Sequence, residues 1–313
     1  MKKILVTGAS GFIGQPLCET LPKLGRCVVA ASRNLNTNLT NHNIKCISVG
    51  DISFKKNWKD VLFEVDCIIH CAGIAHKMNN NKNFDAYQLT NINGTKLLAE
   101  QAVETGVKRL IFLSTIGVNG LNTNNCNLFT NFDKPNPVEN YSISKYQAEK
   151  ILLDISNKTA LEVVIIRSPL VYGRFAVGNL KRLIKLIKLG IPLPFGGIKN
   201  KRSLIGIDNL IDLINHCIDH PEASGKTFLA SDGEDFSTPQ LIKLITSSMG
   251  KKANLFPLPF LILKFLSSII GKSEELNKLA GSLRIDNSYT KETLGWTPPL
   301  SVKEGIRRMV QVK

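Results

Sequence analysis

Tyr141 and Lys145 stand four residues apart in the stretch YSISK. On a helix that spacing puts both side chains on one face, one turn apart. A free phenol titrates at about 10 and is a poor proton carrier at neutral pH. A neighbouring ammonium stabilises the phenolate and brings the phenol toward acid–base chemistry. Alone the pair is a weak signal, because many helices carry a surface Tyr and Lys at this spacing. A second pattern strengthens it. Gly8, Gly11 and Gly14 are spaced G-x-x-G-x-x-G directly after the β-branched run ILVTG. Such a turn lets the backbone approach a pyrophosphate, and the helix behind it offers unpaired N–H groups and the positive end of its dipole. A strand before and a helix after raise this above a lone glycine pattern.

These groups need a scaffold, and the first half of the chain alternates strand and helix. ILVTG (4–8), CVVAAS (27–32), KCISVGD (45–51), DCIIHCAG (66–73), RLIFLST (109–115) and LEVVIIRS (161–168) read as strands. Helices are expected from the glycine turn through about Leu24, from about Leu89 to Thr105, and around Tyr141 and Lys145. Continuous apolar strands with helices between them predict a parallel sheet covered on both faces. Two Asn-rich stretches, 78–83 and 119–127, interrupt the alternation and read as loops.

Composition bounds the function. A chain of 313 residues can bury a large core and build two lobes. The net charge of +15 suits an anionic ligand, an acidic membrane surface or nucleic acid. The basic residues are scattered, however, and no cluster interleaved with aromatics appears, so nucleic acid is not expected. The cysteines number seven, with no C-x-x-C pair. Most of Cys18, Cys27, Cys46, Cys67, Cys71, Cys126 and Cys217 sit in apolar runs and read as small core residues, with neither a disulfide framework nor a metal site expected. The N-terminal MKKILVTGAS lacks a secretory pattern, and a cytoplasmic location is expected. The run FPLPFLILKFLSSIIG (256–271) contains Lys264 and two prolines and is too short to span a bilayer. It is expected as a helix packed on a small lobe, with peripheral membrane contact as the alternative.

Six ordered motifs resemble the extended short-chain dehydrogenase/reductase family, and within it the sugar-nucleotide epimerases, dehydratases and reductases. They are GASGFIG, HCAG (70–73), NINGT (91–95), FLSTIGVNG (112–120), YSISK and RSPLVYG (167–173). The resemblance implies a Rossmann-type doubly wound parallel sheet, an α/β fold, with a smaller C-terminal substrate-binding lobe. Residues 1–170 would form the dinucleotide domain, re-entered near 204–213 and 226–231. Residues 171–313 would mainly hold a sugar nucleotide, UDP-linked by the closest pattern. It implies that Tyr141 is the proton carrier, that Lys145 holds the nicotinamide ribose and lowers the Tyr141 pKa, and that Thr115, rather than Ser114, bonds the reacting sugar oxygen. The cofactor would lie on Gly8, Gly11, Phe12, Ile13, Gly14, Asp51, Ile52, Cys71, Ala72, Gly73 and Pro169. A homodimer through the Tyr141 helix is the family habit.

Departures from the pattern narrow the chemistry. At the end of the second strand, where NAD binders carry an acid, stand Ser32 and Arg33. A guanidinium suits a 2′-phosphate, so NADP(H) is favoured and NAD(H) is the alternative. Asp51 is placed to accept from the adenine amine, or simply opens a turn. Ile116 and Gly117 occupy positions where sugar dehydratases carry an acid and a base, and neither transfers protons. That leaves a 4-keto reductase of the UDP-2-acetamido-2,6-dideoxy-4-hexulose type as the expectation, with a UDP-sugar 4-epimerase as the alternative. Both would serve surface-polysaccharide synthesis; a lipid-diphosphate carrier is a further option. A non-catalytic NADP- or RNA-binding protein is the competitor of another class. Asn179, Leu180, Phe195 and Arg202 match the family's substrate contacts, with Arg284 a weaker diphosphate candidate. Asn179 reads equally as a helix N-cap.

Overall fold

Alternate side chains of the central strands leave on opposite faces, and both faces are apolar. In strand β5 (Arg109–Thr115), Leu110 and Phe112 pack on one side, Ile111 and Leu113 on the other. Only a sheet covered twice satisfies that pattern. A computed structural model describes residues 1–34, 39, 42–53, 57–75, 84–124 and 128–311. The Asn-rich stretch 78–83 lies outside them, as do residues 125–127 of the second stretch, Cys126 included.

Strands β1 (Lys3–Thr7), β2 (Cys27–Ser32), β3 (Ile44–Ser48), β4 (Cys67–His70), β5, β6 (Glu162–Ser168) and β9 (Thr227–Leu229) form one parallel sheet in the order β3-β2-β1-β4-β5-β6-β9. The order reverses between β1 and β4, which opens a crevice at their C-terminal ends. Helix α1 (Gly14–Thr20) and α7 (Ile207–Asp219) cover one face through Leu17, Leu210 and Ile214. Helices α2 (Lys59–Leu62), α4 (Gly94–Glu104) and α5 (Asn140–Lys158) cover the other through Leu62, Leu98 and Leu152. Each such fully buried side chain contributes about 1.5–3 kcal/mol. Helix α3 (Phe84–Tyr87) joins α4 through a π-helical turn, Gln88–Asn93.

The second lobe has its own sheet. Strands β7 (Leu170–Tyr172), β8 (Arg202–Gly206) and β10 (Asp235–Phe236) pair in the order β10-β8-β7. Helices α6 (Gly178–Lys188), α8 (Thr238–Ser248) and α12 (Val302–Val310) close a separate core around Leu183, Ile245 and Ile306. Helices α9 (Phe260–Ile269), α10 (Ser273–Ala280) and α11 (Ser288–Leu294) complete the chain.

Two expectations change. The segment 204–213 adds no strand to the large sheet. Its first part is in the small sheet, and from Ile207 it is a helix lying on the large one. The strand expected over 45–51 stops earlier. Val49 still donates to Ser32 O at 2.9 Å, but Gly50, at φ 65°, turns the chain away.

One buried ion pair locks α5 to the sheet. Arg167 on β6 donates through Nε and Nη2 to the two oxygens of Glu149 at 3.0 and 2.6 Å. Its Nη1 donates to Asn119 Oδ1 at 2.9 Å, and Ser114 Oγ donates to Glu149 Oε1 at 2.5 Å. All four side chains are buried. Leaving one member alone strands a charge in an apolar interior. Arg167→Met is therefore expected to cost about 3–5 kcal/mol, and Arg167→Met with Glu149→Leu to recover most of that loss. Urea unfolding midpoints of the two variants check it.

Candidate active site

The turn after β1 is closed by backbone that admits no side chain. Gly8 has φ +70°, and a Cβ there would meet Ala72 N at 2.8 Å. Gly11 N–H donates to Gly8 O at 2.9 Å, and a Cβ on Gly14 would lie 2.1 Å from that oxygen. The turn thus abuts the loop leaving β4, Cys71 to Gly73, at the crevice where the strand order reverses. Ile13 takes the N-cap position of α1 with no side-chain cap; Gln15 N–H already donates to Gly11 O at 3.0 Å and Pro16 has no N–H, so the first helical turn offers a ligand at most the Gly14 N–H. Phe12 and Ile13 are half-buried beside it.

The end of β2 borders the same turn, since Ala9 N–H donates to Ala31 O at 3.0 Å. Ser32 is buried, and its hydroxyl donates to Asn34 O at 2.7 Å. Arg33 is exposed. Asp51 Oδ1 accepts from Ser53 N–H at 2.9 Å, which is the turn-opening role. Ile52 is buried under α4, with its carbonyl 2.8 Å from where a Gly94 Cβ would sit. Pro169 is buried between β6 and β7.

Tyr141 and Lys145 occupy the first two turns of α5. Lys145 is 4% exposed; its Nζ donates to Leu113 O at 2.8 Å and lies 4.2 Å from the Phe112 ring centroid. A Cβ at Gly73 would come within 3.7 Å of Nζ, so the ammonium looks onto the β4 loop. Burial pulls the Lys145 pKa down to about 8, against the opposing pull of Cys71 and Glu149. Burial also pushes the Tyr141 phenol up to about 12, with Tyr87 adding to the rise. The expected depression of Tyr141 by Lys145 is therefore not what governs the phenol here: desolvation outweighs it.

Thr115 ends β5 half-buried, and its Oγ1 accepts from Gly117 N–H at 3.2 Å, which leaves its hydroxyl hydrogen uncommitted among the described residues. Ser114 points the other way and is spent on Glu149. A Cβ on Gly117 would lie 2.3 Å from Ser142 Oγ, so the turn carrying Thr115 touches α5 next to Tyr141.

In the sequence Asn91 stands out only as the first residue of the NINGT motif. It is buried in the π-helical turn and bridges three elements. Its Oδ1 accepts from Ile74 N–H at 2.8 Å, and its Nδ2 donates to Ile74 O and Ser144 Oγ, both at 3.0 Å. His70 was likewise unassigned. Thr95 Oγ1 donates to Asn91 O, so it must accept from His70 Nε2, leaving Nδ1 to accept from Thr7 Oγ1 at 2.6 Å. Thr7 Oγ1 in turn accepts from Ala72 N–H at 3.2 Å. Burial holds this imidazole neutral, with its pKa down at about 3. A polar residue inside the apolar run CIIHCA was the available signal for His70; Asn91, in the polar stretch LTNINGT, had none beyond its motif.

The substrate candidates are more dispersed. Asn179 is exposed in the first turn of α6, and Val177, not Asn179, is the N-cap. Leu180 is buried in the core of the small lobe, so only its backbone is left for a ligand. Phe195 packs half-buried on that core. Arg202 Nη1 donates to Lys278 O at 2.5 Å and Gly281 O at 3.1 Å, and burial lowers its pKa. Arg284 Nε is paired with Asp235 at 2.7 Å. Either guanidinium would exchange these partners to take a diphosphate.

Two outcomes follow. Gly117→Ala should lower the melting temperature and turnover, and adding Ser142→Ala should restore part of both, because the clash is with the Ser142 hydroxyl. Lys145→Met should melt no lower than the parent at pH 7 yet be inactive. The sign follows from linkage: the folded-state pKa is depressed, so the unfolded chain binds the extra proton between about pH 8 and 10.5, and the parent alone should gain stability as pH rises through that window. Thermal melts across pH check it.

A model of the NAD dependent epimerase/dehydratase family matches residues 4–230. The chain is 39% identical to a UDP-glucose 4-epimerase of Vibrio cholerae, over 99% of this chain and 95% of the relative. It is 26% identical to an N-acetyl-alpha-D-glucosaminyl-diphospho-ditrans,octacis-undecaprenol 4-epimerase of Escherichia coli O157:H7, over 98% and 94%. Its fold matches a UDP-glucuronic acid 4-epimerase of Bacillus cereus, solved in complex with NAD, with a TM-score of 0.81 at 24% identity, over 98% and 95% of the two chains. Glycine turn, crevice and α5 pair thus stand in a sheet of the same build, and the chain belongs to the NAD dependent epimerase/dehydratase family, the extended short-chain dehydrogenase/reductase group that its motifs resemble.

Proposed function

We propose that this protein is a 4-epimerase of a UDP-linked hexose, with NAD as a retained cofactor. The observation that carries this reading is the Lys145 ammonium, buried on α5 with Tyr141 and facing Gly73. Its one hydrogen-bond acceptor among the described residues is Leu113 O. A buried ammonium with spare donors fits a ribose diol at the end of the glycine-turn crevice. In the proposed division, residues 1–170 hold the dinucleotide and 171–313 mainly the sugar nucleotide.

NAD, when bound, supplies a reversible acceptor for the C4 hydrogen and a positive charge near the phenol. Tyr141 removes the C4 hydroxyl proton and later returns it. Thr115, with its hydroxyl hydrogen uncommitted, holds the same oxygen. Lys145 keeps a positive charge one turn along the same helix, which adds to the cofactor's charge against the desolvation that holds Tyr141 protonated. Gly117 and Ile116 offer no second acid or base, which agrees with chemistry confined to one carbon.

The first expectation, a 4-keto reductase using NADP(H), is the weaker reading. The 39% identical relative is named as an epimerase, and an epimerase needs the same three side chains. Exposed Arg33 still suits a 2′-phosphate, so it is the residue that tests the cofactor. The relative acting on an undecaprenyl diphosphate keeps a lipid carrier as the second substrate reading.

Denaturing the purified protein should release near-stoichiometric NAD. With UDP-glucose in deuterated water, C4 should invert without taking solvent deuterium, since the same hydrogen goes back. Tyr141→Phe should keep the nucleotide and lose about 10²–10⁴-fold in turnover. An empty protein preferring NADPH, with that preference lost in Arg33→Ala, would instead establish the reductase.

A further inference from the structure

Helix α9 is thinly covered. Of its ten residues only Leu263 and Ser267 are buried, a single i,i+4 pair facing the lobe. Leu261, Phe265 and Ile269 are 79%, 65% and 66% exposed. The segment before it runs beside residues 188–193: Lys251 Nζ donates to Lys188 O at 2.8 Å, and Phe256 N–H to Leu193 O at 3.1 Å. Exposed Leu189 and Ile191 lie on that neighbouring stretch. Monomeric proteins rarely leave so many large apolar side chains together in water.

Charge selects the occupant. Residues 178–202 and 249–272 contain eleven Lys and Arg and no Asp or Glu. Lys185, Lys188, Lys251, Lys252, Lys264 and Lys272 are all exposed. A second copy of this chain would bring that cluster against itself. An anionic phospholipid surface accepts both features, acyl chains taking the apolar residues and headgroups the lysines. The ten residues of α9 reach about 15 Å, half of a bilayer core. Among the described residues no helix is long and apolar enough to cross a membrane. The helix therefore suits the plane of the interface.

We propose that α9 is an interfacial docking helix that seats the small lobe on an anionic phospholipid surface. The patch connects to the candidate substrate region, because Gly196 N–H donates to Phe256 O at 3.0 Å next to Phe195. Docking would hold that side of the cleft at the lipid, whatever the reaction.

Flotation of the full-length protein with vesicles tests this. With equimolar phosphatidylglycerol and phosphatidylcholine it should float at low salt and less at high salt. Binding to pure phosphatidylcholine should be about tenfold weaker. Leu261→Asp with Phe265→Asp should lose at least about tenfold in vesicle binding while melting temperature and turnover in solution stay unchanged. Two results overturn the proposal: no flotation with either vesicle at low salt, or a concentration-dependent rise in mass, abolished by the same double variant, without vesicle binding. The second would make α9 a protein interface.

Discussion

The geometry of the site depends on the buried pair of Glu149 and Arg167. Tyr141 and Lys145 are on α5, whereas Thr115 and Leu113 are on β5. Nothing in helix propensity sets one against the other. The ion pair does, because Glu149 is one turn beyond Lys145 and Arg167 is on the strand beside β5. With Ser114 and Asn119 completing the acceptors and donors, the carboxylate has no cheap alternative arrangement. A slide of α5 along the sheet would break several charged hydrogen bonds at once. Gly117 then sets the closeness of approach, since any larger residue would meet Ser142.

The same closeness explains the electrostatics. Packing α5 on the sheet takes both Tyr141 and Lys145 out of water, and desolvation penalises each charged form. The phenol rises and the amine falls. Such a site resists the ionisation its chemistry needs until positive charge arrives in the crevice. The Lys145 ammonium is thus an unfavourable group for stability in a favourable place for binding, a common trade at functional sites.

Much of this was legible in the sequence. β2 and β5 stand where their apolar runs are, and the strand–turn–helix around Gly8 is as expected, because a covered parallel strand writes a continuous apolar run. The resemblance preferred Thr115 to Ser114; in the structure the Ser114 hydroxyl donates to Glu149, whereas Thr115 Oγ1 accepts from Gly117 N–H. Three things were not legible. The π-helical turn differs from an α-helix by one residue in the span of its hydrogen bonds, too little for a pattern to register, yet it aims Asn91 at Ile74. The location of the 204–213 segment depends on tertiary pairing with β7, which no local signal encodes. The shift of Tyr141 depends on how deeply a helix sinks, not on which residue is four positions away.

The parallel sheet closes out of chain order. β6 is complete at Ser168, but its outer neighbour β9 begins only at Thr227. During vectorial synthesis on the ribosome, at about 5–20 residues per second, the edge of β6 stays unpaired for roughly 3–12 s. In that interval the nascent chain presents an apolar, hydrogen-bonding edge of the kind that templates aggregation. On one face Val164 and Ile166 also wait for α7 (Ile207–Asp219), whereas Val163 and Ile165 on the other pack against helices already made. A late-completed edge during translation is built into the topology.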